Sequence, residues 1–379
     1  MIKTLDDKKY WLGLIKLQGL GPRIIKNLLD YFGDAKTIWE AGRKELCRVN
    51  QVGSKRSKQI VRDRESIDLD YELQILKDTG IKYLTLTDKE YPFLLKNIHD
   101  PPPVLFYKGS IEPDDTISLA VVGSRKCTNY GRTIAKRLAA ALAEKGFTVV
   151  SGLARGIDTC SHQGALSKGR TIAVLGSGLD VVYPPENDNL MKEIINNGAV
   201  ISSFPLATAP NRENFPQRNR IISGLTLGTI VVEAAQKSGS LITANFALEQ
   251  GREVFAIPGD ITKEQSFGTN QLIQNGAKLV QNIDDILTEL PLEDWLKGIN
   301  REEQTIKSEE KAIESREKKS DLSSEEAEVY NQLSSEPQEF NEVLQAIDLS
   351  PGKLNSILLK LELRGIVIQL SGNRFKHNC

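Results

Sequence analysis

The sequence predicts an α/β protein with an extended Rossmann-like, doubly wound parallel sheet, a small N-terminal helical domain and a C-terminal winged-helix domain. Seven short apolar runs, rich in β-branched residues, recur between positions 117 and 280, and helix-like stretches separate them. This alternation is typical of a parallel sheet that helices cover on both faces. The flanking segments show helical spacing, which indicates separate modules.

Residues 1–66 form the predicted N-terminal helical domain, with 15 Lys/Arg against 8 Asp/Glu. Its glycine-containing turns at 17–25 and 49–57 look like the hairpin turn of a helix-hairpin-helix unit. In such a unit, backbone N–H groups at a helix N-terminus can meet a phosphate. The alternative is a small helical bundle in which the glycines only make tight turns.

Residues 67–112 are predicted to be a connecting segment that packs on the core, because the prolines at 101–103 exclude regular helix. Residues 113–290 are predicted to be the Rossmann-like domain. Its seven apolar runs are 117–123, 147–152, 171–176, 199–203, 228–233, 253–259 and 278–280.

The C-terminal part divides into a charged linker, 291–321, and a winged-helix domain, 322–379. The linker has 6 Lys/Arg and 6 Asp/Glu between residues 300 and 320. Helical spacing at 325–333 and 340–346 precedes a third helix, with Ser350 at its N-cap and Pro351 at N1. Residues 365–376 then resemble a two-stranded wing. With 5 Lys/Arg against 8 Asp/Glu, this domain is predicted to contact protein rather than DNA.

The overall composition favours a cytoplasmic protein without a metal site. The 49 Lys/Arg and 50 Asp/Glu residues balance, so a nucleic-acid partner would need positive charge segregated onto one surface. The four cysteines and three histidines show neither zinc-ligand spacing nor a disulfide framework. The charged N-terminus does not resemble a signal peptide, and no apolar run predicts a membrane span.

Small and basic residues follow the predicted strands where a ligand of an open α/β sheet binds, beyond the carboxyl ends. Gly123, Ser124 and Arg125 follow the first strand, and Arg155 follows the second. Such turns let backbone amides approach an anion, and arginine adds positive charge, so this edge suits a ligand that carries phosphate. Neither GxGxxG nor GxxxxGK[ST] occurs at these turns, so neither a dinucleotide cofactor nor a P-loop nucleotidase is predicted.

The densest cluster of candidate contacts lies at 215–224 and contains Phe215, Arg218, Asn219 and Arg220. Arginine neutralises phosphates, and phenylalanine can stack on an unpaired base. The alternative is that the two arginines cap helices or pair with carboxylates such as Glu213 and Glu233.

A second candidate turn, at 237–240, precedes a helix. Lys237, Ser238 and Ser240 resemble an anion site at a helix N-terminus. The alternative is simple N-capping by Ser240. Asp158 and His162 lie four residues apart on a predicted helix, where an internal salt bridge is favoured over a catalytic pair.

The α/β segment resembles the DprA/Smf family of DNA-processing proteins. Six blocks carry the resemblance in family order over about 140 residues, at 122–125, 151–158, 176–187, 215–224, 233–243 and 256–260. The resemblance implies a homodimer without catalytic activity that binds single-stranded DNA, protects incoming strands and loads the RecA recombinase during natural transformation. Carried over by position, Gly123, Ser124 and Arg125 would line the DNA pocket.

A nucleotide-processing enzyme of the phosphoribohydrolase-like superfamily is the alternative function. Those enzymes carry a Pro-Gly-Gly-x-Gly-Thr-x-x-Glu loop at the catalytic edge of the sheet. This chain has Gly228–Glu233 in the matching place but lacks the Pro-Gly-Gly start. The phosphate-binding turn is therefore missing, and no catalytic residue, cofactor or metal ligand is predicted.

Overall fold

A nine-stranded sheet is the centre of the structure, a computed structural model that describes residues 5–290, 323–334, 336–363, 366–370 and 374–377. The strands are β1 (Lys82–Thr85), β2 (Val104–Gly109), β3 (Ser118–Val122), β4 (Thr148–Ser151), β5 (Thr171–Val174), β6 (Gly198–Ser202), β7 (Gly228–Val231), β8 (Glu253–Ala256) and β9 (Lys278–Leu279). Across the sheet their order is β1-β2-β6-β5-β4-β3-β7-β8-β9. The strands from β6 to β9 in that order are parallel.

Each of the seven apolar runs contains one of these parallel strands, so the predicted α/β fold is confirmed. Every residue of β3, β4, β5, β6 and β7 is buried. A strand covered on both faces can be apolar along its whole length, which explains why these segments show no alternation.

Helices connect the strands and form the N-terminal region. They are α1 (Leu5–Lys16), α2 (Pro22–Phe32), α3 (Ala35–Glu40), α4 (Arg43–Leu46), α5 (Ser54–Arg64), α6 (Leu69–Asp78), α7 (Phe93–Lys96), α8 (Asn129–Glu144), α9 (Ile157–Leu166), α10 (Asp188–Asn197), α11 (Asn214–Gly224), α12 (Gly239–Glu249), α13 (Phe267–Gln274) and α14 (Asp284–Leu287). Short 3-10 helices occupy Pro113–Thr116, Pro185–Asn187 and Glu264–Ser266.

The strand order changes direction between β3 and β7. From β3 the chain moves through β4 and β5 to β6, and then returns to the other side of β3 to form β7 and β8. Because βαβ crossovers are right-handed, the helices of the two halves lie on opposite faces of the sheet. A crevice therefore opens at the carboxyl ends of the central strands, where ligands of such sheets bind.

The segment 67–112 is more regular than predicted. It forms α6 and α7, and it also adds β1 and β2 to the sheet as antiparallel strands, with β2 paired to β6. The prolines at 101–103 lie just before β2 and are in no helix, as predicted. The segment thus extends the sheet beyond its parallel part.

The N-terminal helices share one apolar cluster with the sheet. Trp11, Leu14 and Ile38 belong to the same set of buried contacts as Ala173 of β5 and Val200 of β6. Residues 1–290 accordingly form one compact unit, and residues 291–379 form the other. The predicted boundaries at residues 66 and 112 lie inside the first unit and stay predictions.

The second unit contains the predicted winged helix. Its elements are α15 (Ser324–Gln332), β10 (Gln338–Glu339), α16 (Phe340–Ala346), α17 (Pro351–Leu363), β11 (Val367–Leu370) and β12 (Arg374–His377). The three strands pair in the order β10-β12-β11. A core that includes Val343, Leu354, Leu358 and Phe375 holds them together. The linker 291–321 and the turn of the wing, 371–373, lie outside the described residues.

Candidate functional site

The loop after β3 is fixed between the ends of two other elements. The Ser124 N–H donates to the carbonyl of Glu233 at 2.7 Å, and the Ile157 N–H donates to the carbonyl of Ser124 at 3.2 Å. A Cβ at Gly123 would lie 2.7 Å from Ile157 Cγ1 and 2.9 Å from the Glu233 carbonyl oxygen, so only glycine fits there. The tight loop carries the next residue, Arg125, to the rim of the sheet.

Arg125 stacks on an aromatic ring at this rim. Its guanidinium carbon lies 4.7 Å from the centre of the Phe215 ring, and the Tyr183 ring lies 5.9 Å from the same ring. Arg125 is exposed, and no carboxylate of the described residues lies within ion-pair distance of it. Its charge is therefore free to meet an anion, with aromatic surface directly beside it.

These groups open onto a pocket at the carboxyl ends of β3, β4 and β5, which we call the Arg125 pocket. It is lined by Arg125, Gly152, Ala154, Arg155, Gly176, Ser177, Tyr183, Pro184, Pro210 and Phe215. Small residues form the base, and two aromatic rings and two arginines form the rim. The pocket thus combines positive charge with stacking surface, the combination used for unpaired nucleotides.

Arg155 shares this pocket but is partly neutralised. Its guanidinium makes two hydrogen bonds to the carboxylate of Glu186, one of them at 3.2 Å. Both side chains are well exposed, so this pair contributes little to stability and can exchange for a ligand. The hydrogen bond to Glu186 raises the pKa of Arg155.

The exposed Arg155–Glu186 pair gives a first prediction. Glu186→Gln removes a negative charge from the rim without changing its shape, so the affinity for single-stranded DNA should increase about threefold at low salt. Fluorescence anisotropy with a labelled oligonucleotide measures the change. Glu144→Gln, which removes the carboxylate paired with Lys168, is the control and should leave binding unchanged. Equal affinities for Glu186→Gln and the parent would contradict a role for this side of the pocket.

Arg218 lies beneath the pocket and does not reach solvent. Its Nη1 donates to the carbonyl oxygens of Gly152, at 2.5 Å, and Val174. A Cβ at position 152 would lie 2.2 Å from that nitrogen, so glycine is required for the contact. Burial lowers the pKa of Arg218 to about 10. Arg218, a predicted DNA contact, instead ties the end of β4 to the end of β5.

The carboxylate of Asp158 completes this buried group. One of its oxygens accepts hydrogen bonds from the N–H groups of Gly152 and Ala154, at 3.2 and 3.3 Å. Burial raises the pKa of Asp158, and the charge of Arg218 opposes that shift. The hydrogen bonds to Asp158 therefore stabilise the turn that forms the base of the pocket.

Arg220 points away from the pocket. Its guanidinium pairs with the carboxylate of Asp100 at 3.2 Å and also donates to the carbonyl of that residue. Burial lowers its pKa. The partner is neither Glu213 nor Glu233, the carboxylates considered from the sequence. Arg220 thus joins α11 to the segment before β2 and does not lie with the other predicted contacts.

Asn219 links the pocket to the turn before α12. Its side-chain oxygen accepts from Arg218 Nε at 3.1 Å, and its Nδ2 donates to the Gly239 carbonyl at 3.2 Å. Ser238, rather than Ser240, is the N-cap residue of α12, and its hydroxyl oxygen accepts from the Ser240 N–H at 3.4 Å. Lys237 is exposed beside this turn. The predicted contacts at 237–240 therefore lie next to α11.

The crevice between β3 and β7 is closed to phosphate by Glu233. The buried Glu233 carboxylate accepts a hydrogen bond from the Thr128 N–H at 2.8 Å and another from the Thr128 hydroxyl. Thr128 is also the N-cap of α8. An internal carboxylate thus occupies the helix N-terminus at which a nucleotide phosphate would bind in a dinucleotide-binding fold.

Asp158 and His162 do not form the predicted salt bridge. The Thr171 hydroxyl donates to the Val149 carbonyl at 2.6 Å, so its oxygen accepts from His162 Nδ1 at 2.7 Å. His162 Nε2 is buried and has no hydrogen-bond partner among the described residues. Burial, with a contribution from Arg218, lowers the pKa of His162 to about 3. The ring is a neutral core residue.

This histidine makes folding sensitive to acid. Because the pKa of His162 is about 3 in the folded state against 6.5 in the unfolded state, the unfolded state binds the additional proton between these pH values. Protonation of this group in the unfolded state should therefore lower the free energy of unfolding by about 1.4 kcal/mol for each unit by which the pH decreases within that window. Urea titrations at several pH values measure the slope. His162→Asn should lose that one-proton component, and an unchanged slope would contradict it.

The residues that the structure describes contain no group of three or more His, Cys, Asp or Glu side chains that could hold a metal ion. None of their helices is long and apolar enough to cross a membrane. Tyr183, Gly176 and Ser177, which line the pocket, were not among the predicted contacts, although the recognised sequence block at 176–187 contains all three.

Comparisons with known proteins match all three parts of the chain. Residues 82–291 match the family described as DNA recombination-mediator protein A, residues 314–373 match the DprA winged helix domain, and residues 12–65 match the SAM-like helix-hairpin-helix tandem. Protein Smf from Synechocystis is 34% identical over 98% of this chain and 99% of its own length. DNA processing protein DprA from Bacillus subtilis is 45% identical over 58% of this chain and 74% of its own.

Two solved structures are similar to this chain. DNA processing protein A from Streptococcus pneumoniae superposes with a TM-score of 0.67 at 38% identity, over 74% of this chain and 98% of that one. DNA processing protein A from Helicobacter pylori, whose structure was described for its single-stranded DNA binding mode, gives a TM-score of 0.51 at 32% identity, over 56% and 97%.

Proposed function

Because this chain belongs to the DNA recombination-mediator protein A family, the DprA/Smf family of the sequence analysis, we propose that it binds single-stranded DNA at the Arg125 pocket. The observation that carries the proposal is the exposed guanidinium of Arg125, stacked on Phe215 with no carboxylate of the described residues paired to it. A phosphate neutralises the guanidinium, and an unpaired base stacks on the aromatic pair.

The pocket discriminates single strands from duplex by its shape. Phe215 and Tyr183 stand beside each other at the rim, and small residues form the base. A base can reach these rings only when it is unstacked from its neighbours, and bases in a duplex are already stacked and paired. Gly123, Ser124 and Ala154 provide the small turns that let the strand approach the sheet edge.

The candidate contacts divide into two groups on this proposal. Arg125, Arg155 and Phe215 contact the strand directly, and Gly123 and Ser124 shape the loop. Lys237 and Ser238 extend the surface past α11, whereas the predicted contact Ser240 is buried. Arg218 and Asn219 hold the base of the pocket from inside. Arg220 supports the fold at a distance from the strand.

The enzyme alternative is not favoured. The matched relatives are named as DNA-processing proteins, and Glu233 fills the helix N-terminus that a nucleotide phosphate would need. The function is binding, and we assign no catalytic step, cofactor or metal.

The proposal extends to the location of the chain, its oligomeric state and its protein partner. We propose that the chain acts in the cytoplasm as a homodimer, protects incoming strands and loads the RecA recombinase during natural transformation. The family description as a recombination mediator supports the recombinase partner. Light scattering coupled to size-exclusion chromatography tests the dimer. A pull-down with purified RecA, with and without an oligonucleotide, tests the partner.

Binding across a salt series tests the core of the proposal. Fluorescence anisotropy with matched single-stranded and duplex oligonucleotides should show tighter binding to the single strand. The affinity should fall steeply as the salt concentration rises. Each neutralised phosphate contributes about −0.7 to the slope of the logarithm of the binding constant against the logarithm of the salt concentration. Equal affinity for duplex, or affinity that salt does not change, would contradict the proposal.

A further inference from the structure

A second cleft begins three residues beyond Arg125, and we call it the Tyr130 cleft. It encloses about 640 Å³, within the range of small-molecule sites. It is lined by Thr128, Asn129, Tyr130, Glu233, Pro258, Gly259, Asp260, Lys263 and Ser266. None of these residues is among the proposed DNA contacts. Glu233 and Thr128 bond to each other at the N-terminus of α8.

The walls of the cleft are held in place before any ligand arrives. The Tyr130 hydroxyl donates to the Pro258 carbonyl at 3.3 Å, which joins α8 to the loop after β8. Asn270 fixes that loop by accepting from the Gly259 N–H at 3.2 Å and donating to the Gly259 carbonyl at 3.0 Å. The Tyr130 side chain is nevertheless 51% exposed, so its ring offers a firm stacking surface.

Two carboxylates, those of Glu233 and Asp260, are among the groups that line the cleft. The two Glu233 carboxylate oxygens each accept one hydrogen bond from Thr128, and a carboxylate has about four acceptor sites in all. Asp260 adds a second carboxylate, and Lys263 is a cation among the residues that line the cleft. The remaining acceptor sites of Glu233 therefore favour a neutral group that carries an amino donor over an anion.

The cleft adjoins the Arg125 pocket. The Ser124 N–H bonds to the Glu233 carbonyl at 2.7 Å, so the loop that carries Arg125 is attached to the residue that lines the cleft. Arg125 and Thr128 are three residues apart, a distance of at most about 10 Å along the chain. Lys126 is exposed between them. One flexible polyanion can pass from the pocket to the cleft over this loop.

We propose that the Tyr130 cleft takes an unpaired nucleobase with an exocyclic amino group, from the same strand that the Arg125 pocket holds. The base stacks on the Tyr130 ring, its amino group donates to the Glu233 carboxylate, and its phosphate stays outside, near Lys126 and Lys263. Cytosine, adenine and guanine carry such a group, and thymine and uracil do not. This proposal rests on the proposed function, and it adds a base preference to it.

Oligomers of deoxycytidine and deoxyuridine test the preference, because the two bases are the same size and uracil has a 4-oxo group and an N3–H where cytosine has its 4-amino group and an N3 acceptor. By fluorescence anisotropy at pH 8, the full-length chain should bind oligo-dC about tenfold more tightly than oligo-dU, since a hydrogen bond to a charged acceptor contributes that much. Tyr130→Ala should weaken oligo-dC binding about tenfold and bring the two affinities together. Tyr71→Ala, which removes an exposed tyrosine of α6, is the matched control.

Further variants separate this inference from the proposed function. Arg125→Ala should weaken both oligomers by the same factor and keep their ratio. Lys263→Ala should weaken both oligomers and lower the salt slope, since its contact is to phosphate. Equal affinities of the parent chain for oligo-dC and oligo-dU, or a ratio that Tyr130→Ala leaves intact, would overturn the cleft proposal while the Arg125 pocket stands. Failure of the parent chain to bind either oligomer would overturn both.

Discussion

Arg218→Ala is expected to lower the free energy of unfolding by about 3–5 kcal/mol, the largest effect of any single substitution considered for this chain. The variant leaves the carbonyl oxygens of Gly152 and Val174 without their donor. It also removes the positive charge that opposes the rise in the pKa of the buried Asp158 carboxyl. Urea denaturation followed by circular dichroism measures the change through the midpoint of the transition.

Two matched variants show whether the effect comes from burial. Arg137→Ala removes an exposed arginine on α8 and should change the free energy of unfolding by less than about 0.5 kcal/mol. Arg218→Lys keeps the charge but not the geometry that reaches two carbonyls with one guanidinium, so it should recover only part of the loss. A midpoint for Arg218→Ala equal to that of the parent would show that Arg218 is not the tie between β4 and β5.

Arg125→Ala is expected to weaken the binding of single-stranded DNA by about 1–3 kcal/mol, tenfold or more, without a loss of stability. The substitution removes an exposed cation together with the group that stacks on Phe215 at 4.7 Å. The salt dependence of binding is a second readout. The loss of one phosphate contact should reduce the slope of the logarithm of the binding constant against the logarithm of the salt concentration by about 0.7. Anisotropy across a salt series measures both quantities.

The control for Arg125→Ala is again Arg137→Ala, which removes the same charge from a surface outside the pocket. It should leave the affinity within about twofold of the parent, because long-range charge effects are screened at physiological salt. Unchanged affinity and slope for Arg125→Ala would mean that the strand binds elsewhere on the chain.

The sheet could be predicted from the sequence because its signal is local. Each buried parallel strand is an uninterrupted apolar run, and the glycines after β3 and β4 mark the turns at the carboxyl edge. The placement of Arg125 follows from the same rule, since the residue after a strand lies at that edge. The antiparallel strands β1 and β2 were missed because neither shows an alternation of buried and exposed residues, and because three prolines directly precede β2.

The arginines of α11 could not be placed from the sequence. Local chemistry makes Arg218 and Arg220 equally good candidates for a phosphate, and the helix period alone does not tell which side faces the sheet. Their partners are distant along the chain: Arg218 bonds to carbonyls 66 and 44 residues earlier, and Arg220 bonds to a residue 120 positions earlier. Only the folded structure shows that their charges are already satisfied by the protein.

The Tyr130 cleft had no sequence signal for the same reason. Tyr130 lies in the first turn of α8, whereas Glu233 and Asp260 follow β7 and β8, and no spacing in the chain relates them. From the sequence, Glu233 was considered as an ion-pair partner of the arginines on α11. In the structure its carboxylate accepts hydrogen bonds from Thr128 instead. A carboxylate that caps a distant helix is visible only in three dimensions.

Photo-crosslinking tests most directly whether the strand lies on the Arg125 pocket. A single-stranded oligonucleotide with 5-bromodeoxyuridine at successive positions is irradiated with the full-length chain, and the attached peptides are identified by mass spectrometry. The account predicts crosslinks at Phe215 and Tyr183, the two rings of the pocket, and their loss from Arg125→Ala. Crosslinks confined to the N-terminal helices at 12–65 or to the winged helix would contradict it.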